Sequence, residues 1–284
     1  MQTALSRLLP GFIKRPIAAH IRAVAANTEQ SYFPSHPGEK VYCVKPNVTA
    51  ADGLPVPPQE LWVGYGSDAE SYISRGRSNV ADMVRILEGS GVAIRDTNRV
   101  LEFGCAAARM LRHVPEFAPK AELWGVDISA QHIQWCVNNL TPPMHFATTT
   151  TIPHLPFEDR YFDLVFCGSV FTHIEDMQQS WLLELGRVLR PLGKLFMTIH
   201  DEHTVALLDT SSRDHRLAKM MREQDVYASN KDDFNMIVVG RGAASQVFYN
   251  SDHLKTILPP GLRWVSHTPA AYGYQSAVLL EKLA

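Results

Sequence analysis

The chain reads as an α/β protein, a mostly parallel sheet with helices on both faces. Short continuous apolar runs of strand length alternate with segments whose apolar residues recur at i, i+3, i+4 and i+7. The runs are bounded by glycine, proline and small polar residues, as buried strands are. The 284 residues are 45% apolar and 20% charged, which suits one large globular domain with additions.

Residues 1–60 read as an N-terminal extension or lid. In the first 25, Arg7, Lys14, Arg15 and Arg22 precede the first acid, Glu29, and interleave with Leu5, Leu8, Leu9, Phe12, Ile13, Ile17 and Ile21. That pattern suits a peripheral membrane helix, a targeting peptide, a partner contact, or a helix packed on its own domain. Pro10-Gly11 and Pro16 break the segment and argue against one long helix. Pro34, Pro37, Pro46, Pro55, Pro57 and Pro58 make the remainder of the extension an extended lead-in.

Residues 61–284 hold the main domain. Val80, Met83, Val84 and Leu87 predict a helix from Asn79, stopped at Gly89 to Gly91. Strands are predicted over Arg99 to Phe103, Glu122 to Val126, Met144 to Thr148, Phe162 to Cys167 and Lys194 to Ile199. Helices intervene: Ala107 to His113 after the first strand; one capped by Ser129, with Ile133, Cys136, Val137 and Leu140 inward; and Asp176 to Leu189. Residues 201–250 break the rhythm with a polar, partly helical stretch and an apolar run, Phe234 to Val239, and read as a substrate-side insertion. Arg263 to His267 and Gln275 to Leu280 are the final two strands.

A net charge of −2 leaves no basic field for nucleic acid. No apolar run reaches the ~20 residues of a membrane span. Cys43, Cys105, Cys136 and Cys167 form no CxxC pair, which argues against a zinc ribbon or disulfide framework and fits a reducing, cytoplasmic compartment.

The segment Val100-Leu101-Glu102-Phe103-Gly104-Cys105-Ala106-Ala107-Ala108-Arg109-Met110 is a strand, a small-residue turn and a helix start. Such turns lie at the carboxyl ends of strands, where open α/β sheets bind ligands. Asp127 ends the next strand and can accept both hydroxyls of a ribose, or cap a helix. Only Gly104 of a GxGxxG pattern is glycine, so a dinucleotide cofactor is the weaker reading.

At these residues the chain resembles class I methyltransferases, whose first motif reads roughly V-L-D/E-x-G-C-G-x-G-R. The resemblance extends to Gly125-Val126-Asp127-Ile128-Ser129, to Leu155-Pro156-Phe157-Glu158-Asp159-Arg160-Tyr161-Phe162-Asp163-Leu164-Val165, to Ser169-Val170-Phe171-Thr172-His173, and to Glu184-Leu185-Gly186-Arg187-Val188-Leu189-Arg190-Pro191-Leu192-Gly193. It covers about Asn79 to His200. It implies a Rossmann-like seven-stranded sheet and S-adenosyl-L-methionine as cofactor. Glu102, Phe103, Gly104, Cys105 and Ala106 are then expected around the methionine part, Asp127 at the ribose, and Ile128, Thr151 and Ile152 at the adenine. Ser169 is expected near the methionine end. Arg109 is a candidate for the cofactor carboxylate, for Glu102, or for a helix neighbour. Ala106, Ala108 and Leu192 stand where the family has glycine, which predicts a wider or shifted loop.

Methyl transfer chiefly needs donor and acceptor aligned, and an oxygen acceptor also needs a base. His173 and His200, at strand ends, are the candidates. His200, Asp201 and His203 also form a potential metal set. The acceptor is expected to be a hydroxyl, or an amine, of a sugar, glycan or small metabolite. The rival readings are a cofactor-binding, non-catalytic partner subunit and an NAD(P)-linked oxidoreductase.

Overall fold

The structure is a computed structural model and describes residues 48–284. The basic segment of residues 1–25 and Cys43 lie outside the described residues. Among the described residues, nine strands run in chain order as β1 (Arg99–Phe103), β2 (Glu122–Asp127), β3 (His145–Thr148), β4 (Phe162–Cys167), β5 (Leu189–Ile199), β6 (Met236–Val239), β7 (Gln246–Tyr249), β8 (Leu262–Tyr272) and β9 (Gln275–Lys282). The helices are α1 (Ala69–Gly89), α2 (Ala130–Leu140), α3 (Gln178–Val188), α4 (Glu202–Asp209), α5 (Arg216–Arg222), α6 (Asp225–Asn230) and α7 (Ser251–Thr256).

Seven strands form the expected sheet, in the order β3-β2-β1-β4-β5-β9-β8. β1 to β5 pair in parallel. β9 runs antiparallel to β5, and β8 antiparallel to β9. Strand order reverses between β1 and β4, so the ligand crevice of this architecture lies at their carboxyl ends. Alternate residues of each strand feed two apolar layers. Leu101, Phe103, Val165 and Met197 pack with α3 on one face, and Val100, Leu164, Phe166 and Phe196 pack with α1 and α2 on the other.

Several elements differ from the sequence reading. α1 begins ten residues before Asn79, because Asp68 accepts the Ser71 N–H at 2.8 Å while the Ser71 hydroxyl accepts the Asp68 N–H, a reciprocal cap. Gly76 lets α1 back onto the Arg109 carbonyl, which a Cβ there would meet at 2.2 Å. In α2, Ile133, Cys136 and Leu140 are buried as expected, but Val137 is 40% exposed. No α-helix forms from Ala107 to His113. Residues 106–110 are turns, and Leu111–Glu116 is a 3-10 helix. Left-handed backbone at Ala108 prevents helical hydrogen bonding from starting there, and Pro115 ends the segment early.

The insertion after β5 comprises α4, α5, α6 and the antiparallel pair β6–β7. It has its own apolar cluster of Val205, Leu208, Leu217, Met221, Tyr227, Ile237 and Phe248. It is fixed to the main sheet by a parallel bridge between His200 and Phe248, with the Tyr249 N–H donating to the His200 carbonyl at 2.8 Å.

Leu192 lies in an irregular stretch of β5 with φ 64° and is 59% exposed. A left-handed conformation costs an L-residue about 1–2 kcal/mol, and glycine gives back about 0.4–1 kcal/mol in unfolded-state entropy. Leu192→Gly is therefore expected to raise stability by roughly 0.5–1 kcal/mol, read as a higher denaturant midpoint. A lower midpoint would show that the leucine side chain contributes more than the strain it imposes.

Candidate active site

The site is built at the β1–β4 crevice. After Phe103 the chain turns through Gly104 (φ 77°), Ala106 (φ 44°) and Ala108 (φ 57°). Both alanines adopt left-handed backbone. The Gly104 and Cys105 N–H groups both donate to the Val126 carbonyl, at 2.8 and 3.0 Å. A Cβ on Gly104 would meet the Val170 side chain at 2.4 Å, so that position is closed to any other residue.

Asp127 sits at the end of β2, half-buried. Its Oδ2 accepts the Ala106 N–H and its Oδ1 the Ser129 N–H, both at 2.8 Å. Ser129, not Asp127, caps α2. Each carboxylate oxygen keeps a further lone pair for a ligand hydroxyl. The Thr149 N–H donates to the Asp127 carbonyl, which brings the β3–β4 loop against this strand end. Thr151 and Ile152 lie on that loop, exposed, and Ile128 is half-buried beside Asp127. The turn and the β2 end thus come together as the sequence suggested.

Glu102 is buried and its Oε2 accepts the Leu111 N–H at 2.9 Å. Burial pushes its pKa up to about 8, although the Arg109 charge and the Leu111 bond act in the opposite direction. Arg109 is turned into the protein. Nη1 donates to Asn79 Oδ1 at 2.9 Å, Nη2 to the Tyr272 hydroxyl, and the guanidinium lies 4.1 Å from the Tyr65 ring centre. Its partners in the structure are α1 and β8. At the end of β4, the Ser169 hydroxyl joins a polar chain. Gln275 Nε2 donates to it at 2.8 Å, and Gln275 Oε1 accepts from Thr198, whose Oγ1 accepts the Ser169 N–H.

The two histidines differ in state. His173 Nδ1 lies 2.7 Å from the Ser245 carbonyl, which can only accept. Nδ1 therefore carries the proton and Nε2 is left with its lone pair. Burial lowers the His173 pKa. His200 is buried at 2% exposure, with ring centres of Phe248 and Tyr274 at 4.8 and 5.6 Å. Burial, and then the neighbouring His173, bring its pKa down to about 3, against weaker opposing effects of Asp201 and the Val247 backbone. The Asp201 carboxylate is spent on His267 Nε2 at 2.7 Å and on the Thr204 N–H at 2.9 Å. The His200–Asp201–His203 metal set is accordingly not assembled. Among the described residues no group of three His, Cys, Asp or Glu side chains is placed to hold a metal ion.

Sequence reasoning missed Gln275, Ser245 and the pair Arg112–Asp52. Arg112 has no exposed side-chain area. It binds both Asp52 oxygens, at 2.7 and 2.9 Å, and the carbonyls of Leu54 and Pro55. This ties residues 52–55 to the segment after the cofactor turn. The cues for it lie sixty residues apart in the chain.

The strand order and the turn at its switch point give the fold that the resemblance to class I, S-adenosylmethionine-dependent methyltransferases implied. Residues 101–197 match the family described as methyltransferase domain. It is 28% identical over 109 residues to an uncharacterized methyltransferase of Schizosaccharomyces pombe, a stretch that covers 35% of this chain and 39% of that relative. The fold is similar to the PH0226 protein of Pyrococcus horikoshii, with a TM-score of 0.55 and 18% identity over 77% of this chain and 94% of the other. It is also similar to an S-adenosylmethionine-dependent methyltransferase of Clostridium acetobutylicum, with a TM-score of 0.52 and 12% identity over 73% and 92% of the two chains. The residues present suit this cofactor: Asp127 has free lone pairs for ribose hydroxyls, and the turn keeps its backbone close and bare. No helix among the described residues is long and apolar enough to cross a membrane.

The two carboxylates lead to two expected outcomes. Asp127→Asn leaves one acceptor for two N–H groups, so stability should fall by about 1–3 kcal/mol. Affinity for S-adenosylhomocysteine should fall roughly ten- to a hundredfold, as loss of a charge-assisted hydrogen bond implies. Calorimetric titration and melting measure the two effects separately, and an unchanged affinity would remove Asp127 from the ribose site.

Glu102 has a raised folded-state pKa. The stability it allows is complete below the unfolded value of 4.5 and is lost as pH rises toward 8. Glu102→Gln keeps an acceptor for Leu111 without ionising. Between pH 5 and pH 8.5 the wild type is expected to lose more stability than the variant, by a few kcal/mol at about 1.4 kcal/mol per pKa unit. Parallel denaturation curves at the two pH values would refute this.

Proposed function

We propose that the chain transfers the methyl group of S-adenosylmethionine to a hydroxyl of a sugar or other small metabolite, with His173 as general base; an amine is the second choice of acceptor atom. The observation that carries this reading is the state of His173. Its proton is fixed on Nδ1 by the Ser245 carbonyl, its pKa is lowered, and Nε2 is free to take a proton near neutral pH. Ser245 also donates its hydroxyl to the His173 carbonyl at 2.7 Å, so ring and backbone are held together.

The cofactor, when bound, would supply an activated methyl group on a sulfonium, with a neutral thioether as its leaving group. The protein's share is alignment and proton removal. Asp127 and the turn at Gly104–Ala106 would fix the adenosine and methionine parts. His173 Nε2 would take the proton of the attacking hydroxyl. Cytoplasmic location and a glycan acceptor belong to the same reading, as does contact of residues 1–25 with a membrane or partner.

The test is His173→Asn, which keeps a donor toward Ser245 and removes the base. Turnover, followed as S-adenosylhomocysteine released with a panel of hydroxylated acceptors, should fall by roughly a hundred- to ten-thousandfold. Affinity for S-adenosylhomocysteine should stay unchanged. The acid limb of the wild-type rate profile should lie below the ordinary histidine value near 6.5, because the base works unprotonated and its pKa is lowered. Equal turnover in both proteins would exclude His173 as the base.

A further inference from the structure

The turn that carries His173 begins with a strained residue. Ser169, just past β4, has φ 61°, a left-handed backbone that an L-residue leaves unless its neighbours forbid it. Three bonds do so here. The Ser169 N–H donates to Thr198 Oγ1 at 2.7 Å, the Thr198 hydroxyl to Gln275 Oε1 at 2.7 Å, and Gln275 Nε2 to Ser169 Oγ at 2.8 Å. The ring closes on itself and draws on the ends of β4, β5 and β9. Thr172 adds an inner brace. Its hydroxyl donates to the Ser169 carbonyl at 2.8 Å, which leaves the Ser169 proton for Thr172 Oγ1 at 3.0 Å.

The ring needs an amide at position 275, which must accept from Thr198 and donate to Ser169 at once. A carboxylate only accepts, and an apolar side chain does neither. Gln275, Thr198 and Thr172 are all buried, so solvent does not replace a bond that is lost.

What the ring holds is the geometry between two parts of the site. Val170, next in the turn, packs on the cofactor turn, where its side chain is what a Cβ on Gly104 would meet. Phe171–His173 is a single 3-10 turn, with the His173 N–H on the Val170 carbonyl at 2.9 Å. The insertion takes hold of this turn through Ser245 at His173 and through the Tyr249 hydroxyl, 3.2 Å from the Phe171 carbonyl. Ser169 is where the main sheet takes hold. Relaxation of its backbone would displace the whole turn, and the bond from His173 to Ser245 with it.

We propose that Gln275, acting with Thr198, is a positioning residue: the pair locks Ser169 in its left-handed conformation and through it aims the His173 ring. This deepens the proposed function, on which it rests for the role of His173 as base.

The test is nitrogen NMR of the full chain labelled in its histidines, with no ligand added. The His173 signals are identified by their loss in His173→Asn. In the wild type the ring should be in the Nδ1–H form that the Ser245 carbonyl selects. In Gln275→Met, which has a side chain of similar size and makes neither hydrogen bond, a substantial share should pass to the Nε2–H form. Thr198→Val should do the same, and Thr198→Ser, which keeps the hydroxyl, should not. The double variant of Gln275→Met with Thr198→Val should go no further than either alone, because the ring acts as a unit. Turnover with the hydroxylated acceptors should fall roughly ten- to a hundredfold in the same variants, as a misplacement of about 1 Å implies. A ring that serves stability alone would lower the melting temperature and leave the tautomer of the folded chain as it is. That result, or a wild-type spectrum in Thr198→Val, would overturn the inference. A fully active His173→Asn would instead remove His173 as base and leave the positioning standing, since the spectrum needs no acceptor.

Discussion

The site depends on the Asp127 carboxylate and the two backbone N–H groups it holds. One oxygen fixes Ala106 and the other Ser129, so the turn after β1 and the start of α2 are set relative to one atom group at the end of β2. The Val126 carbonyl adds the N–H groups of Gly104 and Cys105, and the Asp127 carbonyl adds Thr149. Three chain segments thus meet at two residues of one strand. The left-handed alanines persist because this bracing over-determines their backbone; isolated, each would relax. Preorganisation of this kind leaves little conformational entropy to be lost when a ligand is bound.

Charge is handled differently in the two halves of the crevice. On the cofactor side, buried ionisable groups are answered by specific partners: Arg112 by Asp52, Arg109 by Asn79 and Tyr272, and Glu102 by the Leu111 N–H. Burial alone opposes ionisation of Asp52, and the bonds from Arg112 reverse that, so its pKa ends below the usual carboxylate range. On the β5 side, under the insertion, Asp201 is answered by His267 and Thr204, while two histidines and a tyrosine are kept neutral. His173 and His200 have lowered pKa values and Tyr274 a raised one, each chiefly through desolvation.

The sheet was legible in the sequence because parallel strands covered on both faces read as continuous apolar runs such as Phe162 to Cys167. The ends of those runs were legible as strand ends for the same reason, hence the placement of Asp127 and Ser169 at the carboxyl ends of β2 and β4. What could not be read is what depends on distant partners. The first turns of α1 bury only Tyr72 and Gly76, too few for a periodic signal, and its cap is a pair of small polar residues. Arg109 turns away from the turn because Asn79 and Tyr272 claim it, and the latter stands 163 residues further on. The tautomer of His173 is set by Ser245, 72 residues later, inside an insertion whose short elements carry weak patterns.

The insertion is attached by strand pairing. β7 continues the direction of the chain at His200 through a bridge to Phe248, and the Tyr249 N–H closes onto the His200 carbonyl. Its inner side is also stitched to the β4 end by the reciprocal bonds of Ser245 and His173. A roof fastened along a sheet cannot swing on a hinge, because opening it would break backbone pairing and orphan the bonded groups together.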